Sequence, residues 1–296
     1  MKILNFGSLN IDHVYGVDHF VRPGETLASK RYQRFSGGKG NNQAIALARA
    51  GAPVWHAGKI GSDGVWLLAL LRQAGANTSL VARGTTPTGH AIIQVQKDGE
   101  NCIVLHGGAN QAITPADAEA VLVRFRAGDY LLLQNEISSV AAIMRIAARK
   151  KMKIVFNPAP MSPRVRQYPL KLVDIFIVNE IEGAELTGAK GARRIVAAMR
   201  RRYSKAMVIL TLGARGAICE HATGSMQVPG RKVKAVDTTA AGDTFIGYFL
   251  AAYTQSGNVG PALQIACNAA AICVTRPGAA DSIPCRKEVT IKPEYE

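Results

Sequence analysis

Acidic residues are scarce in this chain. Its 296 residues carry 21 Asp and Glu against 36 Lys and Arg, a formal net charge of +15. A basic surface draws polyanions, so nucleic acid is the first partner class to test. The densest basic run, Arg193-Arg194 through Arg200-Arg201-Arg202 to Lys205, shares a helical pattern with Ile195, Val196, Ala198 and Met199. That pattern predicts a surface helix with a solvated cationic face. No aromatics interleave with it, and neither helix-turn-helix nor zinc-finger spacing occurs. No nucleic-acid partner is expected.

Other absences narrow the field further. No apolar run reaches the ~18 residues that a membrane span needs, which argues against a membrane partner. Asn10 and Asp12 arrive too early for a secretory signal, which predicts a cytoplasmic protein. Cys102, Cys219, Cys267, Cys273 and Cys285 form no Cys-x-x-Cys pair, and the six histidines form no His-x-x-x-His. Neither a disulfide framework nor a zinc site is indicated, and reduced structural thiols are expected. A Walker A loop is missing. So is a dinucleotide fingerprint, because Gln43 stands where Gly38-x-Gly40-x-x requires its last glycine.

What is present is a globular α/β pattern, with 48 % hydrophobic and 19 % charged residues. Strands are predicted at 2–8, Val54–Ile60, Tyr130–Gln134, Lys153–Phe156, Ile175–Val178 and Met207–Leu212. Helices are predicted at 63–74, 138–151 and from Glu180. Short apolar strands alternating with helices imply a central, mostly parallel sheet covered by helices on both faces. Segments 13–36 and 88–109 break that rhythm and read as β structure, with a hairpin tip at Lys97-Asp98-Gly99-Glu100. They predict a small β-sheet lid inserted into a single domain spanning 1–296.

The most informative stretch is Val236-Asp237-Thr238-Thr239-Ala240-Ala241-Gly242-Asp243-Thr244-Phe245. An apolar helical pattern begins at Phe245, behind small residues that admit a ligand to the backbone. A helix start offers unpaired N–H groups and a positive dipole end to an anion. Asp243 in that first turn is placed to accept a proton from an alcohol beside an anion hole, an arrangement suited to phosphoryl transfer. Asp is also an ordinary helix-stabilising residue at such a position. The second segment, Phe35-Ser36-Gly37-Gly38-Lys39-Gly40-Asn41-Asn42-Gln43-Ala44, runs into a helical repeat of Ala44, Leu47, Ala48 and Gly51. Its donors suit a polyhydroxylated small molecule better than a pyrophosphate.

Together with Gly7-Ser8-Leu9-Asn10-Ile11-Asp12, Pro23-Gly24-Glu25-Thr26, Asn157-Pro158-Ala159-Pro160, Asn179-Glu180-Ile181-Glu182, Thr211-Leu212-Gly213 and Val274-Thr275-Arg276-Pro277-Gly278-Ala279, these motifs resemble the ribokinase-like (PfkB) family of sugar and nucleoside kinases. The resemblance covers nearly the whole chain. It implies an ATP-dependent kinase acting on a primary hydroxyl, with D-ribose first among substrates. The alternatives are deoxyribose, a fructose-type sugar or a nucleoside. Asp243 would be the base, with Ala240, Ala241, Gly242 and Asp243 forming the anion hole. Asn10, Asp12, Gly38, Lys39, Asn42 and Glu136 match sugar-contact positions. Asn179, Thr211, Leu212, Gly213, Ala214, Arg215, Gly216, Gly242, Cys267 and Asn268 match the nucleotide site. Glu182 would place Mg2+ through water. Asp237, Thr239, Cys273, Arg276, Gly278 and Ser282 would hold K+, largely through backbone oxygens. Relatives often pair through the lid, which implies a homodimer.

Overall fold

β1 (Ile3–Phe6) is buried along its whole length, as a strand covered on both faces must be. The structure, a computed structural model, describes residues 1–221 and 224–289. After β1 the chain makes β2 (Asn10–Gly16) and β3 (Arg31–Gly37), then returns through α1 (Lys39–Arg49). Next come β4 (Val54–Ile60), α2 (Val65–Ala74) and β5 (Asn77–Arg83), followed by a hairpin of β6 (Gly89–Val95) and β7 (Asn101–His106). Strands and helices then alternate as α3 (Pro115–Leu122), β8 (Tyr130–Leu133), α4 (Val140–Arg149), β9 (Lys153–Phe156) and β10 (Ile175–Asn179). α5 (Glu180–Thr187), α6 (Ala192–Arg202) and β11 (Met207–Thr211) continue that pattern. An antiparallel hairpin of β12 (Ala217–His221) and β13 (Gly224–Val228) precedes two long helices, α7 (Ala241–Ser256) and α8 (Val259–Cys273).

Nine strands form one sheet in the order β13-β12-β11-β10-β9-β8-β1-β4-β5. All its neighbours from β11 to β5 run parallel, and only β12 and β13 are antiparallel. Alternate residues of each strand feed opposite cores. Ile3 packs with α1, α2, α7 and α8 on one face, while Leu4 and Phe6 pack with α3, α4, α5 and α6 on the other. From β1 the chain winds outward to β4 on one side and later to β8 on the other. The crevice of the sheet therefore lies between β1 and β8, beyond their carboxyl ends, where open α/β sheets bind ligands.

A second, four-stranded sheet has the order β3-β2-β6-β7 and is built from the two segments that break the helix–strand rhythm. β7 is exposed at every residue, with Ile103, Val104 and Leu105 each at least half exposed. The hairpin tip expected near Lys97–Glu100 is present, with Gly99 at φ 90°. The cationic helix is α6, which buries Ile195, Val196 and Met199 and leaves its last-turn arginines toward solvent.

One boundary differs from the sequence reading. α7 begins at Ala241 rather than Phe245, because Ala240 takes a left-handed conformation (φ 60°) and starts the helix four residues before its apolar face appears. The first turn, Ala241-Gly242-Asp243-Thr244, carries no apolar side chain larger than a methyl group. It therefore leaves no periodic signal.

Candidate active site

Two helix starts meet at the centre of the site. α1 opens at Gly38, whose φ of 90° suits glycine, and α7 opens at Ala240. The helices cross closely at Gly247. A Cβ there would stand 2.4 Å from the Ala46 Cβ and 2.8 Å from the Leu47 amide, so only glycine lets α7 lie against α1. This crossing sets Asn42 and Gln43 against Asp243. The buried carboxylate accepts from Gln43 Nε2 at 2.8 Å through Oδ1 and from Asn42 Nδ2 at 3.2 Å through Oδ2.

The sugar-side residues gather here from four elements. Glu136 Oε2 accepts from the Lys39 amide at 2.8 Å and from Ser8 Oγ at 2.5 Å, so it caps the start of α1. Burial raises the Glu136 carboxyl above its usual range, partly opposed by the Lys39 ammonium. Asp12, half-buried on β2, is pushed up to about 6, first by burial and then by the Glu136 charge. Lys39 faces inward rather than outward. Asp243 chiefly, with Glu136 and Glu182, raises its affinity for the proton against the cost of burial. The buried Asn10 Oδ1 accepts from Asn110 Nδ2 at 2.7 Å, which turns the Asn10 amide in a fixed sense.

Glu182 and Asn179 form a reciprocal capping box at the start of α5. Glu182 also accepts from Asn157 Nδ2 at 3.3 Å, and burial raises its carboxyl. The helix-start role and a place beside the charged cluster are thus combined in one residue.

A cavity of about 400 Å³ lies on the outer side of the α7 N-terminus. Thr211, Gly213, Ala214 and Gly216 wall one side, Ala241 and Gly242 the floor, and Cys267, Ala271 and Val274 the other side. Burial pushes the Cys267 thiol up to about 11, so it presents a neutral surface. Four residues expected with these do not line it. Leu212 points into the core, and Arg215 turns to Glu180 at 2.5 Å. Asn268 lies buried one position beyond Cys267, and the Asn179 side chain is engaged in its cap. The reasons differ: neighbours on a helix point about 100° apart, which separates Asn268 from Cys267, whereas Asn179 is held by its own cap.

Behind α7, two loops are tied together. Asp237 accepts from the Thr239 amide at 2.8 Å and the Gly278 amide at 2.9 Å. Burial works to raise its carboxyl, but these bonds outweigh it and the net shift is downward. Cys273 Sγ lies 3.1 Å from Ser282 Oγ and 3.7 Å from the Thr239 carbonyl. The Arg276 guanidinium faces Glu288 at 2.5 Å, so the loop keeps its oxygens without an inward cation. Among the described residues no group of three His, Cys, Asp or Glu side chains is gathered for a metal. The Asp237 carboxylate, the Thr239 carbonyl and the Ser282 hydroxyl are hard oxygen donors, which fit a monovalent or alkaline-earth ion rather than zinc.

The sequence signature of the pfkB family carbohydrate kinases matches residues 1–286. The chain belongs to that family. It is 40 % identical over 291 residues to the ribokinase of Haemophilus influenzae, covering 95 % of each chain. Among solved structures it resembles ribokinase from Cryptococcus neoformans var. grubii in complex with ADP, with a TM-score of 0.86 and 35 % identity over 97 % of this chain and 98 % of that one. Arabidopsis thaliana ribokinase complexed with ribose and ATP gives a TM-score of 0.84 and 29 % identity over 97 % and 96 %.

Several residues of this carbohydrate kinase were missed by sequence reasoning. Gln43, Asn157, Ser8 and Asn110 touch the acids and amides of the site directly. Ser8, Gln43 and Asn157 stood inside quoted motifs, but nothing in their spacing assigned them a partner. Arg231, Lys232 and Val233 line the cavity from a segment without regular structure. Their only signal was the basic run Arg231-Lys232-Val233-Lys234.

Proposed function

We propose that this pfkB-family enzyme transfers the γ-phosphoryl group of ATP to the primary hydroxyl of D-ribose, giving ribose 5-phosphate. The observation that carries the reading is the placement of Asp243. Its carboxylate is buried against Asn42 and Gln43, while the two preceding residues floor the adjoining cavity. Relatives that bear the name ribokinase support the choice of sugar.

In this reading ribose lies among Asn10, Asp12, Gly38, Lys39, Asn42 and Glu136, under the second sheet acting as a lid. Buried amides and carboxylates of fixed orientation discriminate strongly among hydroxyl patterns, because a mismatched sugar leaves them unpaired. Asp243 accepts the hydroxyl proton as the oxygen attacks. The first-turn amides of α7 receive the charge that develops on the phosphoryl oxygens. The Ala241 amide is drawn back to the Thr238 carbonyl at 3.3 Å, which centres the anion hole on Gly242 and Asp243. Thr211, Gly213, Ala214, Gly216 and Cys267 face the nucleotide.

Glu182 would hold Mg2+ through water, and a bound magnesium ion neutralises phosphate charge. Asp237, Thr239, Cys273, Gly278 and Ser282 would hold K+, with Arg276 contributing only main-chain oxygen. We also assign a homodimer through the apolar β7 edge and a cytoplasmic location. No helix among the described residues is long and apolar enough to cross a membrane.

ADP release measured over D-ribose, 2-deoxy-D-ribose, D-fructose and inosine, in potassium and in sodium buffers, tests the assignment. Ribose is expected to give the highest kcat/KM, with a gain in potassium. Turnover of another member of the panel without turnover of ribose would transfer the assignment to that substrate.

A further inference from the structure

A line of buried side chains runs from the interior of the sheet to the proposed base. His56 on β4, Asn5 on β1, Gln134 after β8 and Gln43 on α1 are each at most 1 % exposed. Their contacts are 3.0 Å from Asn5 Nδ2 to His56 Nδ1, 2.9 Å from Gln134 Nε2 to Asn5 Oδ1, and 2.7 Å from Gln134 Nε2 to Gln43 Oε1. Gln43 Nε2 then reaches Asp243 Oδ1 at 2.8 Å.

The direction of every bond is fixed by the Gly40 carbonyl, which can only accept. Asn5 Nδ2 donates both to His56 Nδ1 and to the Gly40 carbonyl at 2.6 Å, so its Oδ1 must accept. Gln134 therefore presents Nε2, which serves Asn5 and Gln43 together. Gln43 is left to present Oε1 to Gln134 and its N–H groups to Asp243 Oδ1 and, at 3.4 Å, to Asn157 Oδ1. Reversing any one amide would set oxygen against oxygen somewhere along the line, and a buried mismatch is costly. The His56 proton lies on Nε2, which has no partner among the described residues. That cost is what an interior imidazole of fixed tautomer entails.

We propose that Gln43 is a positioning residue for proton transfer. Its amide, locked in orientation by Gln134, Asn5 and His56, holds Oδ1 of Asp243 and leaves Oδ2 to take the proton of the sugar hydroxyl. Oδ2 has only the longer 3.2 Å bond from Asn42, a residue on the sugar side. The inference rests on the reading of Asp243 as the base. Charged groups facing that carboxylate are Lys39, Glu136 and Glu182, and none of them belongs to the amide line.

The test compares Gln43→Met, which keeps length but loses the donor, with Gln134→Met, which does not touch Asp243 but frees the Gln43 amide to turn. Gln43→Met is expected to lower kcat by about 10²-fold, the order expected for a misplaced reacting group. Its D-ribose Kd by calorimetry should stay within about threefold of wild type, since Asp243 is the one expected sugar position that the amide line contacts and its Oδ2 keeps the Asn42 bond. Gln134→Met reproduces the same pattern in weaker form and decides the matter if Gln43→Met does not fold. Wild-type kcat in folded variants, or a loss of kcat matched by an equal loss of D-ribose affinity, overturns the proposal. Asp243→Asn is assayed alongside. Undiminished turnover there defeats the base assignment itself, whereas an inactive Asp243→Asn with a wild-type-like Gln43→Met defeats only the role of Gln43.

Discussion

The two halves of the site are built on opposite principles. On the sugar side, Asn5, Gln43, Gln134, Asn157 and Asp243 are buried and hydrogen-bonded to one another. On the nucleotide side, Gly242, Arg231 and Lys232 are exposed, and most wall positions are glycine, alanine or main chain. Side chains fixed before binding select among similar small ligands, because their geometry costs nothing further to organise. An open cavity bordered by helix amides suits a ligand recognised by its phosphates, whose charge any such terminus attracts. The contrast places substrate discrimination in the first half and phosphoryl handling at the seam.

The strongest way to break this comparison is at the seam. Asp243→Asn keeps shape and burial but removes the base, and kcat should fall by about 10²–10⁴-fold. Rapid-quench assays would register that loss, while calorimetry should find D-ribose binding close to wild type. A kcat within a factor of a few of wild type would remove Asp243 from the chemistry.

Asp12→Asn probes the buried half. With the carboxyl at about 6 in the folded state against 3.8 in a free residue, folding favours its neutral form. The stability it contributes is complete below pH 3.8 and is lost as pH rises to about 6. At pH 7 the ionised group therefore costs at most about 3 kcal/mol. Asp12→Asn should raise the Tm of the ligand-free enzyme at pH 7, with the gain vanishing near pH 4, while ribose affinity drops about tenfold or more. Equal Tm values at pH 7 would contradict the burial argument.

His56 gives a smaller, graded effect. Burial lowers its imidazole to about 3 from 6.5, so the neutral ring's contribution is present above pH 6.5 and is lost as pH falls toward 3. The slope is about 1.4 kcal/mol per pH unit in that window. His56→Asn keeps an acceptor for Asn5 and should flatten the decline in urea-unfolding free energy between pH 6.5 and 5. The smallest effect is expected in the open half. Cys267→Ala should change KM for ATP by less than about threefold, since a neutral thiol on a cavity wall contributes only modest packing. A tenfold change would show that the nucleotide side also relies on particular side chains.

Legibility in the sequence followed the same division. The parallel sheet was readable because short, largely apolar strands alternate with helices, and β4 and β9 fall on the residues expected. The second sheet was readable from two segments that break the strand–helix rhythm and from Asp98-Gly99. Asp243, Asn42, Lys39 and Glu136 were nameable because carboxylate, amide and ammonium groups are the ones that the proposed chemistry would use, and the structure brings them together. Leu212 and Arg215 misled, because a motif shows which residues adjoin a turn but not which way each faces. Gln43 and Gln134 were opaque for another reason. They lie 91 positions apart, and only the crossing of α1 over the sheet makes them neighbours.

The absence of a side chain at Gly247 reaches well beyond helix packing. With α1 and α7 in direct backbone contact, the groups that grip the acceptor and those that receive the migrating phosphate belong to one unhinged body. In the proposed reading, with the second sheet as the lid, opening and closing would belong to β2, β3, β6 and β7 and not to α1 and α7. Release of product and attack on the phosphate are thereby assigned to separate parts of the molecule.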